Sequence, residues 1–115
     1  MNGAICDTKD NWTKQEREIA RQAFDAASGR ERAAILERVR KMALREGDAR
    51  VIWAIHDYLS KKRKEMDEKY DFRYSQIRRV FGILLAEGWM KWEDLEGISP
   101  DKLDEIRIAA EVFSS

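Results

Sequence analysis

The chain has 115 residues, enough for one small domain with a helical extension, and a core that small gains stability from pairing with a second copy. Lysine plus arginine equals aspartate plus glutamate, 22 of each, so no net field draws the protein toward nucleic acid or an anionic membrane. Charged residues at 38% beside hydrophobic residues at 43% suit amphipathic helices better than a disordered tail, and the longest apolar run, VFGILLA at 80–86, is too short to span a bilayer.

Residues 1–12 are expected to be a flexible N-terminus, with no cationic start and apolar stretch of the signal-peptide kind. The single cysteine, Cys6, gives no disulfide framework and fits a reducing cytoplasm. Thr13 with Glu16 three residues on forms a capping box, and Ile19, Ala23, Phe24 and Ala27 then mark one helical face. At SGRE, 28–31, two readings stand: a second capping box from Ser28 and Glu31, or a helix that runs through Gly29. Ile35, Leu36, Val39, Met42 and Ala43 resume the stripe, Gly47 suits a left-handed C-cap, and Asp48 suits the next N-cap.

A second long helix is predicted over 49–69, with Ile52, Ile55, Leu59 and Met66 on its apolar face. Asp71 is expected to cap a third helix that carries Ile77, Val80, Phe81, Leu84 and Leu85 and ends at Gly88. A short turn follows around 92–96. Ser99 then caps a final helix with Pro100 first and Asp101 in its first turn, buried through Leu103, Ile106, Ala110 and Val112 or Phe113.

The expected fold class is therefore all-α: a long helical hairpin over 13–70, forming a dimeric bundle with a second copy, and a compact helical head over 71–115. The narrow apolar stripe of the hairpin predicts a dimer seam through Ile52, Ile55 and Leu59.

His56, the only histidine, stands between Trp53 and Arg63 and beside Asp57. Successive helical residues turn by about 100°, so His56 and Asp57 are expected to point apart rather than form a catalytic dyad. No nucleophile elbow, metal-ligand spacing or glycine-rich phosphate loop appears, so neither enzyme chemistry, a metal nor a cofactor is expected. Trp53, His56, Asp57 and Arg63 instead share the flank of the apolar face and combine residue types that gather at interface anchors. Pattern alone also allows a bland reading of the flank: edge core, a border histidine and solvated charges. Arg63 with Asp67, and Trp53 with Asp57, are spaced to pair. The basic cluster KKRK at 61–64 is answered by EMDE at 65–68, as helix-surface pairs.

LEGISPDKLDEI at 95–106 is similar to the helix-hairpin-helix signature, which offers backbone N–H groups to a DNA phosphate. Ser99 stands at its second glycine, Pro100 removes a donor, and DKLDE is acidic where the phosphate would lie. A capped turn is the simpler reading, and nucleic acid is not the expected partner.

WAIHDYLSKKRKEMDEKYDFR at 53–73, continued by VFGILLAEGW and LEGISPDKLDEI, resembles the fluorescence recovery protein family of cyanobacteria, over roughly residues 50–108. Residues 1–47 match only in being helical. The resemblance implies an all-α homodimer that regulates without catalysis. It implies binding to the C-terminal domain of the photoactivated orange carotenoid protein, faster return of that protein to its resting orange form, and an end to phycobilisome quenching. Under the resemblance Trp53, His56, Asp57 and Arg63 match the family's polar and aromatic positions at the dimer interface and adjoining partner surface, and Ile52 an apolar interface position. Arg79 departs from it, standing where the family often has an apolar residue in the head. The alternative is a homodimeric helical interaction protein whose partner is unrelated to carotenoids.

Overall fold

The computed structural model describes residues 11–46 and 48–114. Helix α1 spans Lys14–Glu46, α2 Val51–Lys69 and α3 Ile77–Glu87; a 3-10 turn covers Trp92–Leu95, and α4 spans Pro100–Ser114. No strand occurs among the described residues. The molecule is elongated, 64 × 25 × 22 Å.

Local signals set most helix ends. The Glu16 backbone N–H donates to Thr13 Oγ1 and the Thr13 N–H to Glu16 Oε1, both at 3.0 Å, the reciprocal bonds of a capping box. Helix α3 ends at Gly88 in the left-handed conformation, whose N–H turns back to the carbonyls of Leu84 and Leu85. Helix α4 starts at Pro100, with the Leu103 N–H donating to the Ser99 carbonyl at 3.0 Å.

Of the two readings at SGRE, the continuous helix is the one observed: α1 passes through Gly29 at a cost of about 1 kcal/mol relative to alanine. Two expected caps are corrected. Helix α2 begins at Val51 with Arg50 as its N-cap, while Asp48 accepts from the Arg50 N–H at 2.8 Å. Asp71 does the same with the Arg73 N–H at 3.3 Å, and α3 starts only at Ile77. In both places an aspartate bonds its own backbone two residues on, which competes with helix capping. Gly47 and Cys6 lie outside the described residues.

Residues 70–74, YDFRY, form a non-helical strap. Its alternate residues Tyr70, Phe72 and Tyr74 pack on the core. Phe72 meets Phe24 edge-on at 4.8 Å between ring centroids, Tyr70 meets Phe24 at 5.3 Å and Tyr74 meets Trp12 at 5.5 Å. Asp71 and Arg73 pair with each other between these aromatic residues.

The core joins Ala20, Ala23, Phe24 and Ala27 of α1 to Ile77, Val80, Phe81 and Leu84 of α3, with Leu95, Ile98 and Ile106 closing it. The first half of α1 thus belongs to the head. Trp12, within the segment expected to be flexible, is 2% exposed because Tyr74 and the Arg78 and Lys102 cations stack on its indole. Helices α3 and α4 touch closely at Gly82, where an added Cβ would lie 2.5 Å from the Ala109 Cβ. Ile106 is fully buried in α4, whereas Val112 and Phe113 are exposed, a correction to their expected burial. Val112 lies about 240° around the helix from Ile106, and Phe113 sits at the helix end.

Beyond residue 31 the picture changes. No described residue of 32–46 is buried, and α2 has no buried residue at all. The two helices form a thin arm, and its apolar stripe stays largely uncovered in a single chain.

Candidate partner-binding surface

Helix α2 presents Trp53, His56 and Asp57 together near its start. Trp53 is 70% exposed and meets the His56 ring edge-on at 6.2 Å between centroids. His56 Nδ1 lies 3.4 Å from Asp57 Oδ1, so the two side chains do meet, contrary to the expectation from helical rotation. Both are solvent-facing, and exposed side chains of adjacent residues can swing toward each other where packed ones cannot. The contact is long and weak, with no nucleophile beside it. Asp57 faces His56, not the Trp53 indole.

Arg63 stands two turns further on, about 10 Å along the axis at 1.5 Å per residue. Its Nε donates to Asp67 Oδ2 at 3.3 Å, the predicted i,i+4 pair. Lys62 likewise meets Glu65 at 3.3 Å. Such exposed pairs contribute only about 0.2–0.5 kcal/mol, which leaves the arginine fork free to exchange partners. Arg63 also borders a groove between the arm helices, together with Leu59, Met66, Arg32, Ile35 and Tyr70. Ile52 is 56% exposed and Leu59 41%, while Ile55 and Met66 are half-buried. The residues expected at a dimer seam therefore lie next to the polar flank, on one helix, with their apolar surface open.

Sequence reasoning missed the buried ion pairs that fix the arm and head. Glu31 is 6% exposed; its carboxylate accepts from Lys69 Nζ at 2.9 Å and from the Tyr70 hydroxyl at 2.8 Å. Lys69 also donates to Glu87 at 2.6 Å, so one ammonium joins the ends of α2 and α3 to the middle of α1. Burial lowers the Lys69 pKa, but the Glu31 and Glu87 carboxylates outweigh it and raise the net value. Burial, then Glu31, pushes the Tyr70 hydroxyl far above its ordinary range. Next to Glu31, Arg30 donates to Asp94 at 2.8 Å and to the Trp89 carbonyl at 2.7 Å. That arginine, as the largest cause, holds Asp94 below its ordinary value.

Glu16 has a similar double role. Besides capping α1, it accepts from the Ser99 N–H at 2.8 Å and from Lys102 Nζ at 3.1 Å. Burial pushes Glu16 up, yet the bonds from Thr13, Ser99 and Lys102 leave it net lowered. The same bonds occupy the donors of the LEGIS turn. The Ser99 N–H is committed to Glu16, the Ile98 N–H to the Leu95 carbonyl at 3.2 Å, and Lys102 is buried on a carboxylate. Those donors are thus spent within the chain, two of them on the Glu16 carboxylate. Arg79, the departure noted above, is exposed and donates to Gln76 at 3.2 Å.

No group of three or more histidine, cysteine, aspartate or glutamate side chains among the described residues is arranged to hold a metal ion. No helix among them is long and apolar enough to cross a membrane. What remains is an all-α protein of arm and head, with an aromatic and charged flank on the arm.

Comparison with known proteins places this architecture in a family. The model of the family "photoprotection regulator fluorescence recovery protein" matches residues 12–110, and the chain belongs to that family. The match takes in α1, beyond the region where the resemblance was legible in sequence. The fluorescence recovery protein of Synechocystis sp. (strain PCC 6803) is 37% identical over 99 residues, covering 86% of this chain and 91% of the relative. Solved structures agree. The fluorescence recovery protein of Fremyella diplosiphon superposes with a TM-score of 0.79 at 38% identity, covering 87% of this chain and 98% of that one. The Synechocystis protein gives 0.79 at 37% identity with the same coverage.

Proposed function

We propose that this protein binds the C-terminal domain of a photoactive carotenoid protein and speeds its return from the active red to the resting orange state, ending phycobilisome quenching. Family membership across residues 12–110 carries the reading. The protein acts in the cytoplasm as a homodimer and without catalysis. Its arm pairs with a second copy through Ile52, Ile55 and Leu59, and the uncovered apolar stripe supports that pairing. Trp53, His56, Asp57 and Arg63 form the partner surface beside the seam. Their exposure on one flank supports the role: Trp53 offers area, Arg63 a planar fork of donors, Asp57 an acceptor and His56 a border contact.

The mechanism is differential binding. A regulator that bound both states of its partner equally would shift nothing; one that prefers a state on the path back, or lowers the barrier, accelerates recovery without being consumed. The test mixes purified protein with photoconverted orange carotenoid protein and follows recovery in the dark. Acceleration at substoichiometric amounts is expected. An unchanged rate at equimolar amounts overturns the reading.

A further inference from the structure

We propose that α1 contains a latched hinge at Ser28–Gly29, with Arg30 and Glu31 as positioning residues that set the angle between arm and head. The helix leaves the core at this point. Ala27 is fully buried, and from residue 32 onward no described residue of α1 is. A serine–glycine pair inside a helix is one of the few recognised causes of sharp bending. Nothing lies within 4 Å of where a Gly29 side chain would project, so packing does not stiffen that residue.

The two residues that follow are pinned to the head from two directions. Arg30 reaches Asp94 and the Trp89 carbonyl, beyond α3. Glu31 reaches Lys69 and Tyr70, where α2 ends and the strap begins, and Lys69 passes the connection on to Glu87 at the end of α3. The Glu31 and Lys69 side chains are 8% and 14% exposed, so water competes little for this pair. Glu87 is 44% exposed, which leaves the outer contact of Lys69 open to exchange. A weak point in a long helix, crossed by ion pairs on both sides, gives one preferred angle while the latch is closed and a spread of angles when it opens. Because the arm carries Trp53 and Arg63, that angle fixes how the arm surface and the head meet one partner; this consequence rests on the function proposed above, whereas the hinge does not.

The test uses the full chain with Cys6→Ser and spin labels on Ala43→Cys in the arm and Glu96→Cys in the head, both exposed positions, diluted with unlabelled protein. Pulsed electron resonance then reads the arm-to-head distance without any partner. One narrow distribution is expected for the latched protein, and a broadened, shifted one after Arg30→Gln with Glu31→Gln. Adding Gly29→Ala to that variant is expected to narrow it again. Should the double substitution prevent folding, Glu87→Gln removes only the outer carboxylate and is expected to broaden the distribution. A distribution as narrow in the opened variants as in the latched protein overturns the hinge. Failure of carotenoid-protein recovery with the hinge intact counts only against the functional reading.

Discussion

The head and the arm are built from the same kinds of helix but differ in what they bury. In the head, Phe81, Ile77, Leu84 and Ile106 are fully buried, and three carboxylates, Glu16, Glu31 and Asp94, tie distant segments together. In the arm, α2 buries nothing in a single chain, and apart from those of Lys69 at its end its ion pairs are short-range. The buried contacts of the described residues are therefore concentrated in the head, while the arm leaves its apolar and polar surface open. The difference predicts where substitutions act: head variants are expected to change folding, and arm variants to change the proposed association.

The comparison breaks most directly in the head core. Phe81→Ala should lower stability by about 3–5 kcal/mol in denaturant unfolding, through lost burial and the cavity left behind. An equal loss for Ile52→Ala in the arm would erase the distinction. Gly82→Val should cost about 1–3 kcal/mol, since its side chain would press on the Ala109 and Ala110 backbone at the α3–α4 crossing. The thermal midpoint reads this.

Acid sharpens the same comparison. Glu16 and Asp94 are held below their ordinary values of 4.5 and 3.8. A depressed folded pKa contributes stability that is complete above the unfolded value and disappears as pH falls through the folded one. Head stability should thus be level above about pH 5 and decline below about pH 4.5. In Lys102→Met, which removes one bond holding Glu16 ionised, the decline should be shallower. A pH series of unfolding curves with identical slopes for both proteins would contradict the role given to Glu16.

The smallest effect on folding and the largest on assembly belong to Ile52→Glu. A surface charge on the single-chain arm should change the melting of the head by less than about 0.5 kcal/mol. The same charge buried in a seam between copies costs several kcal/mol and should yield monomers by light scattering. A monomer for the unmodified protein at tens of micromolar (~, the range of weak pairs) would remove the seam altogether.

What the sequence made legible was local. Thr13 with Glu16, Gly88, and Ser99 with Pro100 signal helix ends through contacts within four residues, and all three stand in the structure. The partners of Glu16 at Ser99 and Lys102 were not legible, because nothing in the local pattern marks a carboxylate that bonds 83 and 86 residues away. At SGRE the local pattern allowed both a second capping box and a continuous helix, and gave no sign that Glu31 is committed to Lys69 and Tyr70. At YDFRY the cap signal of Asp71 competes with a five-residue alternation of aromatic and charged residues, and the alternation, a period-2 signal of extended chain, is what the structure follows. The candidate surface was legible as a flank, since helical periodicity alone places Trp53, His56 and Asp57 together. Their mutual contact was not, because exposed side chains choose rotamers that no wheel specifies.

The central claim is that the arm flank recognises a partner and does not hold the fold. Arg63→Lys tests it most directly, because the charge is kept while the planar fork of donors is lost. Carotenoid-protein recovery and thermal melting would be measured side by side on the same preparation of each protein. The account predicts slower recovery for Arg63→Lys, with a melting midpoint and dimer content equal to those of the unmodified protein. Recovery at the unmodified rate together with a lowered midpoint would contradict it and make Arg63 a structural residue.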